Sequence, residues 1–152
     1  MVQLNVMTDY GIRVVLYLAI TQKNAEQMVH EKGLRDERSC IVVSSAKICS
    51  EMGIPSTMMY KIARVLKGAG VIRERRGSAG GFELIKSVED VSILDITRAF
   101  EKTMNVNRCL EEDAFCSRNA SQQCIVRSFY TELQHKLDEM LSVKVSTFLK
   151  NT

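Results

Sequence analysis

Three cysteines lie close together in the second half of the 152-residue sequence, at Cys109, Cys116 and Cys124. Six and then seven residues separate them, and the segment that carries them, CLEEDAFCSRNASQQC, is mostly polar. Structural cysteines usually lie among apolar neighbours, so three thiols in a hydrophilic segment indicate chemistry. Thiolates are soft ligands that favour iron-sulfur clusters and zinc. Spacing alone leaves open a cluster, a zinc ion, a thiol redox switch or no site.

The other two cysteines, Cys40 and Cys49, have apolar or strand-like neighbours and are interpreted as packing residues. The total of five is odd, which disfavours a framework of disulfides. The sequence begins without the features of a secretory signal, and no apolar stretch approaches the roughly 20 residues that a membrane span needs. We therefore expect a cytoplasmic protein that makes no membrane contact and keeps its thiols reduced.

The N-terminal part predicts a helix over about residues 8–20, with Thr8 or Asp9 as a capping residue of its first turn. A polar stretch of mixed charge follows, and it is interpreted as a long exposed connection. The buried stripe of the helix is predicted from three- and four-residue spacing at Ile12, Val15, Leu16 and Ala19.

The middle of the chain predicts two short helices joined by a tight turn. Ser44 or Ser45 is a suitable N-cap for the first helix, and Gly53 is a suitable C-cap. Pro55 suits the first turn of the second helix, where a missing N–H is harmless. The second helix, with one apolar face, ends near residues 68–70. Two short helices with this turn form the outline of a helix-turn-helix.

A hairpin follows the second helix, because two strand-like runs, residues 71–76 and 82–85, flank the glycine-rich loop at residues 77–81. Arg75 and Arg76 are predicted at its tip. Residues 55–76 carry a net charge of +5, although the whole chain carries only +3. We call this hairpin the wing. Positive charge concentrated on a helix-turn-helix and its wing is typical of binding to the phosphates of double-stranded DNA.

The C-terminal part predicts a short helix capped by Ser92 and then, over about residues 121–149, a long helix without Gly or Pro. A helix of that length spans about 40 Å, which is too long to bury its apolar stripe against so small a domain. Self-association along this helix is the favoured interpretation, and folding back onto the domain is the alternative. The predicted stripe comprises Val126, Tyr130, Leu133, Leu137, Met140 or Leu141, Val145 and Phe148.

The sequence resembles the Rrf2 family of bacterial winged-helix regulators, which includes iron-sulfur cluster regulators, nitric-oxide-sensitive repressors and cysteine metabolism repressors. The motifs that carry the resemblance are TDYGIR at residues 8–13, KGAGVI at residues 67–72 and RGSAGGFEL at residues 76–84. The expected fold is mainly α-helical, with a β-hairpin wing and a long C-terminal dimerisation helix. The expected parts are a winged helix-turn-helix domain at residues 1–100, a sensor loop at 101–124 and the dimerisation helix at 125–152.

The resemblance implies a homodimeric regulator, expected to be a repressor, on a pseudo-palindromic DNA operator, with Arg76 in the minor groove. The second helix of the helix-turn-helix, which reads the DNA bases in this family, departs from the pattern of the cluster regulators at Pro55 and at Tyr60-Lys61. The operator sequence of those regulators therefore cannot be assigned to this chain. The residues expected to contact DNA are Ser56, Thr57, Tyr60, Lys61, Arg64, Lys67, Arg75, Arg76, Gly77 and Gly80.

The resemblance also implies that the three cysteines of the sensor loop hold an iron-sulfur cluster that senses redox state, nitric oxide or iron-sulfur status. One branch of the family uses a histidine three residues after the last cysteine as fourth ligand, and this chain has Arg127 there. Another branch uses an aspartate from the partner subunit, which Asp9 matches, with N-capping as its alternative role.

The main alternatives to the cluster sensor are a regulator with a thiol switch or zinc site and a DNA-binding module that senses nothing. An enzyme is not expected, because the sequence contains no Gly-x-x-x-x-Gly-Lys phosphate-binding loop, no His-Glu-x-x-His and no Gly-x-Ser-x-Gly motif.

Overall fold

A computed structural model of the chain describes residues 4–31, 41–113, 115–120 and 122–150. These ranges are mainly helical and contain one antiparallel two-stranded hairpin, as predicted. The elements are α1 (Val6–Glu31), α2 (Ser45–Met52), α3 (Ser56–Gly68), β1 (Ile72–Arg75), β2 (Gly81–Leu84), α4 (Ile93–Phe100), a 3-10 turn (Arg108–Leu110), α5 (Ile125–Leu141) and α6 (Val145–Leu149). No helix in the described ranges is long and apolar enough to cross a membrane.

Helix α1 is the centre of the core and packs against α2, α3, α4, α6 and β2. It is longer than predicted, since it continues to Glu31 through the stretch interpreted as an exposed connection, where no Gly or Pro interrupts it. The predicted caps are wrong. The side chain of Asn5 accepts a hydrogen bond from the Met7 amide (2.9 Å), and Thr8 is fully buried inside the helix. The buried aliphatic stripe comprises Val14, Val15, Leu18 and Ala19.

The predicted helix-turn-helix is formed by α2 and α3. Ser44 caps α2 by accepting a hydrogen bond from the Lys47 amide (3.3 Å), and Gly53 ends it with the left-handed backbone that glycine tolerates (φ 63°). Pro55 is the N-cap residue of α3. The face of α3 that packs into the core consists of Met59, Ile62, Ala63 and Leu66.

The predicted wing is formed by β1 and β2, which pair from Ile72↔Leu84 to Arg75↔Gly81. The hairpin is attached to the core by Val43, which precedes α2. Val43 and Phe82 exchange two backbone hydrogen bonds of 2.9 and 2.8 Å. Because Phe82 is itself buried, the wing has a fixed position relative to the helix-turn-helix.

Helix α4 is capped, as predicted, by Ser92, whose hydroxyl accepts a hydrogen bond from the Asp95 amide (3.1 Å). The Asp95 carboxylate in turn accepts from the Ser92 amide (2.9 Å) and hydroxyl (2.7 Å), which completes a capping box. The Ser92 hydroxyl, with a smaller opposing effect of burial, holds the pKa of Asp95 below its ordinary value.

Ser92→Ala is expected to lower the free energy of unfolding by about 1 kcal/mol, because it removes both side-chain bonds of this cap. The lowered pKa of Asp95 means that this stabilisation is complete above the ordinary carboxyl pKa and is lost as the pH falls through the lower folded value. Urea unfolding at neutral and acid pH measures the difference. Ser50→Ala on the exposed side of α2 is the control, and equal effects of the two substitutions would contradict the assignment.

The single long C-terminal helix predicted over residues 121–149 is divided in two. Helix α5 ends at Leu141, and the next residues pair with the segment before α4 instead of continuing the helix. The Ile93 amide donates to the Val143 carbonyl (3.0 Å) and the Val145 amide donates to the Val91 carbonyl (2.9 Å). Helix α6 then packs on α1 and buries Val145 completely. These tertiary bonds and this burial outweigh the helical preference of the local sequence.

Candidate functional site

The exposed face of α3 carries every DNA-contact residue predicted on that helix. They lie opposite the buried face, and the side chain of Tyr60 is 75% exposed. Lys67 bonds to Glu74 of β1 (2.5 Å), and this bond holds the pKa of the Glu74 carboxyl below its ordinary value. Part of the Lys67 charge is therefore offset inside the protein. The exposed residues are Ser56, Thr57, Tyr60, Lys61, Arg64 and Lys67.

The tip of the wing presents Arg76 in a tight turn. The Gly80 amide donates to the Gly77 carbonyl (3.0 Å), which closes the turn. A Cβ on Gly80 would lie 2.5 Å from the Arg75 carbonyl oxygen, and Gly77 has a φ of 111°. Both glycines are therefore needed for the shape of the turn. Arg75, Arg76 and Gly77 are exposed and Gly80 is half-buried.

A buried carboxylate lies behind the wing arginines. Glu83 on β2 is 0% exposed, and its Oε1 accepts hydrogen bonds from Nε of Arg73 (2.6 Å) and Nε of Arg75 (2.9 Å). Burial raises the pKa of Glu83, but the hydrogen bonds and charges of the two arginines outweigh burial and hold it below its ordinary value. Arg73 and Glu83 were not predicted as site residues. The signal available in the sequence was the two-residue spacing of Arg73 and Arg75 in one strand-like run, with the acidic Glu83 in the other.

The three clustered cysteines are half-buried and lie on different local structures. Cys109 is in the 3-10 turn, Cys116 is in the following loop, and Cys124 is the N-cap residue of α5. Backbone N–H groups of Ala120 and Arg118 lower the pKa of the Cys116 thiol, with help from the Arg118 charge and against a small effect of burial. These N–H groups and the Arg118 charge form a thiolate cradle, meaning that they stabilise the ionised form of Cys116, which binds metal and reacts with oxidants.

The cysteine segment, residues 101–124, is hydrogen-bonded to α5. The Val106 amide donates to Oε1 of Gln134 (2.8 Å), and Nε of Arg127 donates to the Cys109 carbonyl (3.2 Å). Arg127, which stands where one branch has a histidine ligand, thus contacts the backbone of a cysteine. The backbone at Cys109 is therefore in direct contact with α5.

The structure does not gather the predicted metal ligands into one closed site. Within the described residues, no three side chains of His, Cys, Asp or Glu are close enough to hold a metal ion together. Asp9 forms an ion pair with Arg13 one turn along α1 (2.6 Å). Of the two cysteines predicted to be packing residues, Cys49 is half-buried against the core and Cys40 lies outside the described residues.

The donor set nevertheless suits a soft metal centre, because three thiols lie on one segment and Cys116 is held in an environment that favours its thiolate. The described residues between Cys109 and Cys124 include no buried side chain. Closure of the segment around a cluster would therefore displace none of these described side chains from the core.

Helix α5 has no buried residue and presents an apolar stripe to solvent. The predicted stripe separates into two faces. Tyr130, Leu137 and Leu141 are half-buried toward the rest of the chain. The outer stripe, which includes the unpredicted Phe129, comprises Val126, Phe129, Leu133 and Met140, which are 54%, 61%, 40% and 76% exposed.

The family model named Rrf2 and described as an iron-dependent transcriptional regulator matches residues 33–151. The chain belongs to the Rrf2 family. The relatives of the chain and its fold are those of transcriptional regulators and not those of enzymes.

Curated relatives and solved structures resemble the chain over different lengths. Protein rrf2 of Nitratidesulfovibrio vulgaris is 33% identical over 90 residues, which span 59% of this chain and 59% of that relative. The IscR structure from T. potens has a TM-score of 0.67 at 20% identity and covers 99% of this chain and 88% of its own. The structure of CymR (YrzC), the global cysteine regulator of B. subtilis, has a TM-score of 0.72 at 16% identity, and the match covers 100% of this chain and 99% of CymR. At these identities the two structures show a shared fold.

Proposed function

We propose that the protein is a homodimeric, cytoplasmic transcriptional repressor whose DNA affinity is controlled by an iron-sulfur cluster on Cys109, Cys116 and Cys124. The observation that carries the proposal is the position of the cysteine segment. It is hydrogen-bonded through Gln134 and Arg127 to α5, the helix whose outer face is apolar and exposed. Along the chain, the segment at residues 101–124 connects α4 of the proposed DNA-binding domain to α5, the helix proposed for dimerisation.

The DNA-binding surface consists of the exposed face of α3 and the tip of the wing. In a two-fold dimer, two α3 helices enter major grooves about 34 Å apart along a pseudo-palindromic operator. The glycine turn supports a close approach of the wing backbone to the sugar-phosphate. We expect Arg76 to enter a narrow, electronegative minor groove. Phosphate contacts from Lys61 and Arg64 then add affinity that depends on salt.

The dimer forms through the outer stripe of α5 on two copies of the chain. Its residues recur at three-, four- and seven-residue steps, the pattern of helices that pack along their length. A helix of 17 residues is about 25 Å long, and pairing two of them covers the aromatic and aliphatic side chains that one copy leaves exposed.

The cluster ligands are the three cysteines, with Asp9 of the partner subunit as the candidate fourth ligand. When bound, such a cluster supplies a centre sensitive to oxidation, nitric oxide and iron supply. The protein's own contribution is the thiolate cradle at Cys116 and the connection of Cys109 to α5 through Arg127. A change in cysteine placement alters α5 and thereby the relative position of the two α3 helices, which is a coupling between two sites.

A thiol switch without a cluster is the second candidate. The observation that favours it is the lowered pKa of Cys116, since a stabilised thiolate is also the form that oxidants attack. One similar structure is an oxidized form of CymR from Staphylococcus aureus, with a TM-score of 0.65 at 17% identity. A zinc ion would use the same thiols, and it would give no visible absorption of its own.

Purification without oxygen, followed by iron, acid-labile sulfide and visible absorption measurements, tests the proposal. We expect stoichiometric iron and sulfide with charge-transfer bands. Cys116→Ala is expected to remove these bands, and Cys49→Ala, which removes a thiol packed on the core, is expected to retain them. A colourless protein that remains free of iron after reconstitution would favour the thiol switch or zinc. Unchanged bands in Cys116→Ala would contradict the ligand assignment.

A further inference from the structure

We infer that Glu83 is a positioning residue for DNA binding, which holds Arg73 and Arg75 as an ordered pair of guanidinium groups on the outer face of the wing. The inference rests on the proposed DNA-binding surface and adds Arg73 to it.

The geometry of the hairpin places the three side chains on one face. Arg73 and Arg75 are two residues apart on β1 and therefore point to the same side of the strand. Glu83 is the register partner of Arg73 on β2. The opposite face carries the buried Ile72 and Phe82, so the arginine face is the one that looks away from the core.

The arginines are accessible although the carboxylate is not. Their side chains are 55% and 53% exposed, and that of Glu83 is 0% exposed. Both bonds use Nε of the arginine, at 2.6 and 2.9 Å from the same Oε1. A guanidinium has five N–H donors, so one that is held through Nε can still bind a phosphate.

This arrangement has two consequences for DNA binding, one for the net charge of the three side chains and one for the order of the two arginines. One carboxylate between two guanidinium groups leaves the group of three with a net positive charge, which favours DNA. The two arginines have also lost much of their rotamer freedom before DNA arrives, so less ordering remains to oppose binding. A buried charge is unfavourable for folding unless it is paired, and here the pair of arginines satisfies Oε1.

The test uses Glu83→Gln, which retains the shape of the side chain and an oxygen acceptor but removes the charge. The probes are a DNA duplex enriched by the wild-type protein from a randomised pool and a second duplex of random sequence. We expect the Kd for the enriched duplex to rise about tenfold, although the substitution makes the protein more positive. The same substitution in an Arg73→Ala/Arg75→Ala background is expected to leave the Kd unchanged.

A role confined to hairpin stability would give the same loss of affinity in both backgrounds and would overturn the inference. Unchanged or tighter binding by Glu83→Gln would also overturn it. Glu83 would then have no effect on DNA binding by the two arginines, or would weaken that binding. Circular dichroism melts show whether each variant is folded. Should Glu83→Gln not fold, Arg73→Lys/Arg75→Lys replaces it, since lysine retains the charge without the Nε bond. That variant is expected to weaken binding, and unchanged affinity would overturn the inference.

Arg76→Ala separates this inference from the proposed function. Weaker binding by Arg76→Ala together with normal binding by Glu83→Gln would show that the wing contacts DNA without help from Glu83. Normal binding by Arg76→Ala and by Arg73→Ala/Arg75→Ala would show that the wing does not contact DNA, and the proposed surface would fail with the inference.

Discussion

Replacement of Gly81 by alanine is expected to lower the free energy of unfolding by about 3 kcal/mol. A Cβ at this position would lie 2.1 Å from the carbonyl oxygen of Val43 and 2.9 Å from Cα of Ser44. Both contacts are with backbone atoms, which cannot rotate away as a long side chain can. Separation of the strands would break the two hydrogen bonds between Val43 and Phe82.

The effect of Gly81→Ala should reach the helix-turn-helix as well as the wing, because Ser44 is also the cap of α2. Urea unfolding followed by circular dichroism measures the loss. Gly68→Ala at the end of α3 is the matched control, since a Cβ there meets nothing within 4 Å. Equal stability of the two variants would show that β2 does not approach Val43 this closely in solution.

A charged residue in the outer stripe of α5 is expected to have the largest effect on DNA binding. Phe129→Glu should convert the proposed dimer into a monomer, because pairing would bury an uncompensated carboxylate. Once one half of a dimer is bound, the second half binds at a high effective concentration. Loss of that advantage weakens operator binding by about 100-fold or more.

Analytical ultracentrifugation and DNA titration measure the two consequences of Phe129→Glu. Ser128→Glu, an exposed neighbour outside the stripe, is the control and should remain dimeric. A Phe129→Glu protein that stays dimeric and binds the operator normally would exclude the outer stripe as the dimer interface.

The helix-turn-helix and wing were predictable because their signals are local. Ser44, Gly53 and Pro55 mark helix ends by their own backbone chemistry, and the glycine-rich loop marks the hairpin. The exposed basic face of α3 followed from residue spacing in the same way. The charge distribution then indicated what that face binds.

The remaining features depend on contacts that are distant in the sequence. Residues 142–144 could continue a helix, and only their pairing with the segment around Ser92 shows why they do not. Division of the α5 stripe into an inner and an outer face likewise requires knowledge of what packs beside α5. The three cysteines predicted soft-ligand chemistry by their residue type, but their positions relative to one another are not determined by local sequence.

Pairing of residues 143–145 with residues 91–93 closes a long excursion of the chain. The path leaves the core after α4, runs through the cysteine segment and α5, and re-enters beside the point where α4 began. Near its departure, Glu101 is secured to α1 by hydrogen bonds from Asn5 and Thr8. The segment between residues 101 and 143 is therefore attached to the core at both of its ends. Residues gained or lost between Cys109 and Cys124 would therefore change the length of the loop before α5, while the pairing of residues 143–145 keeps the C-terminal end of α5 in place.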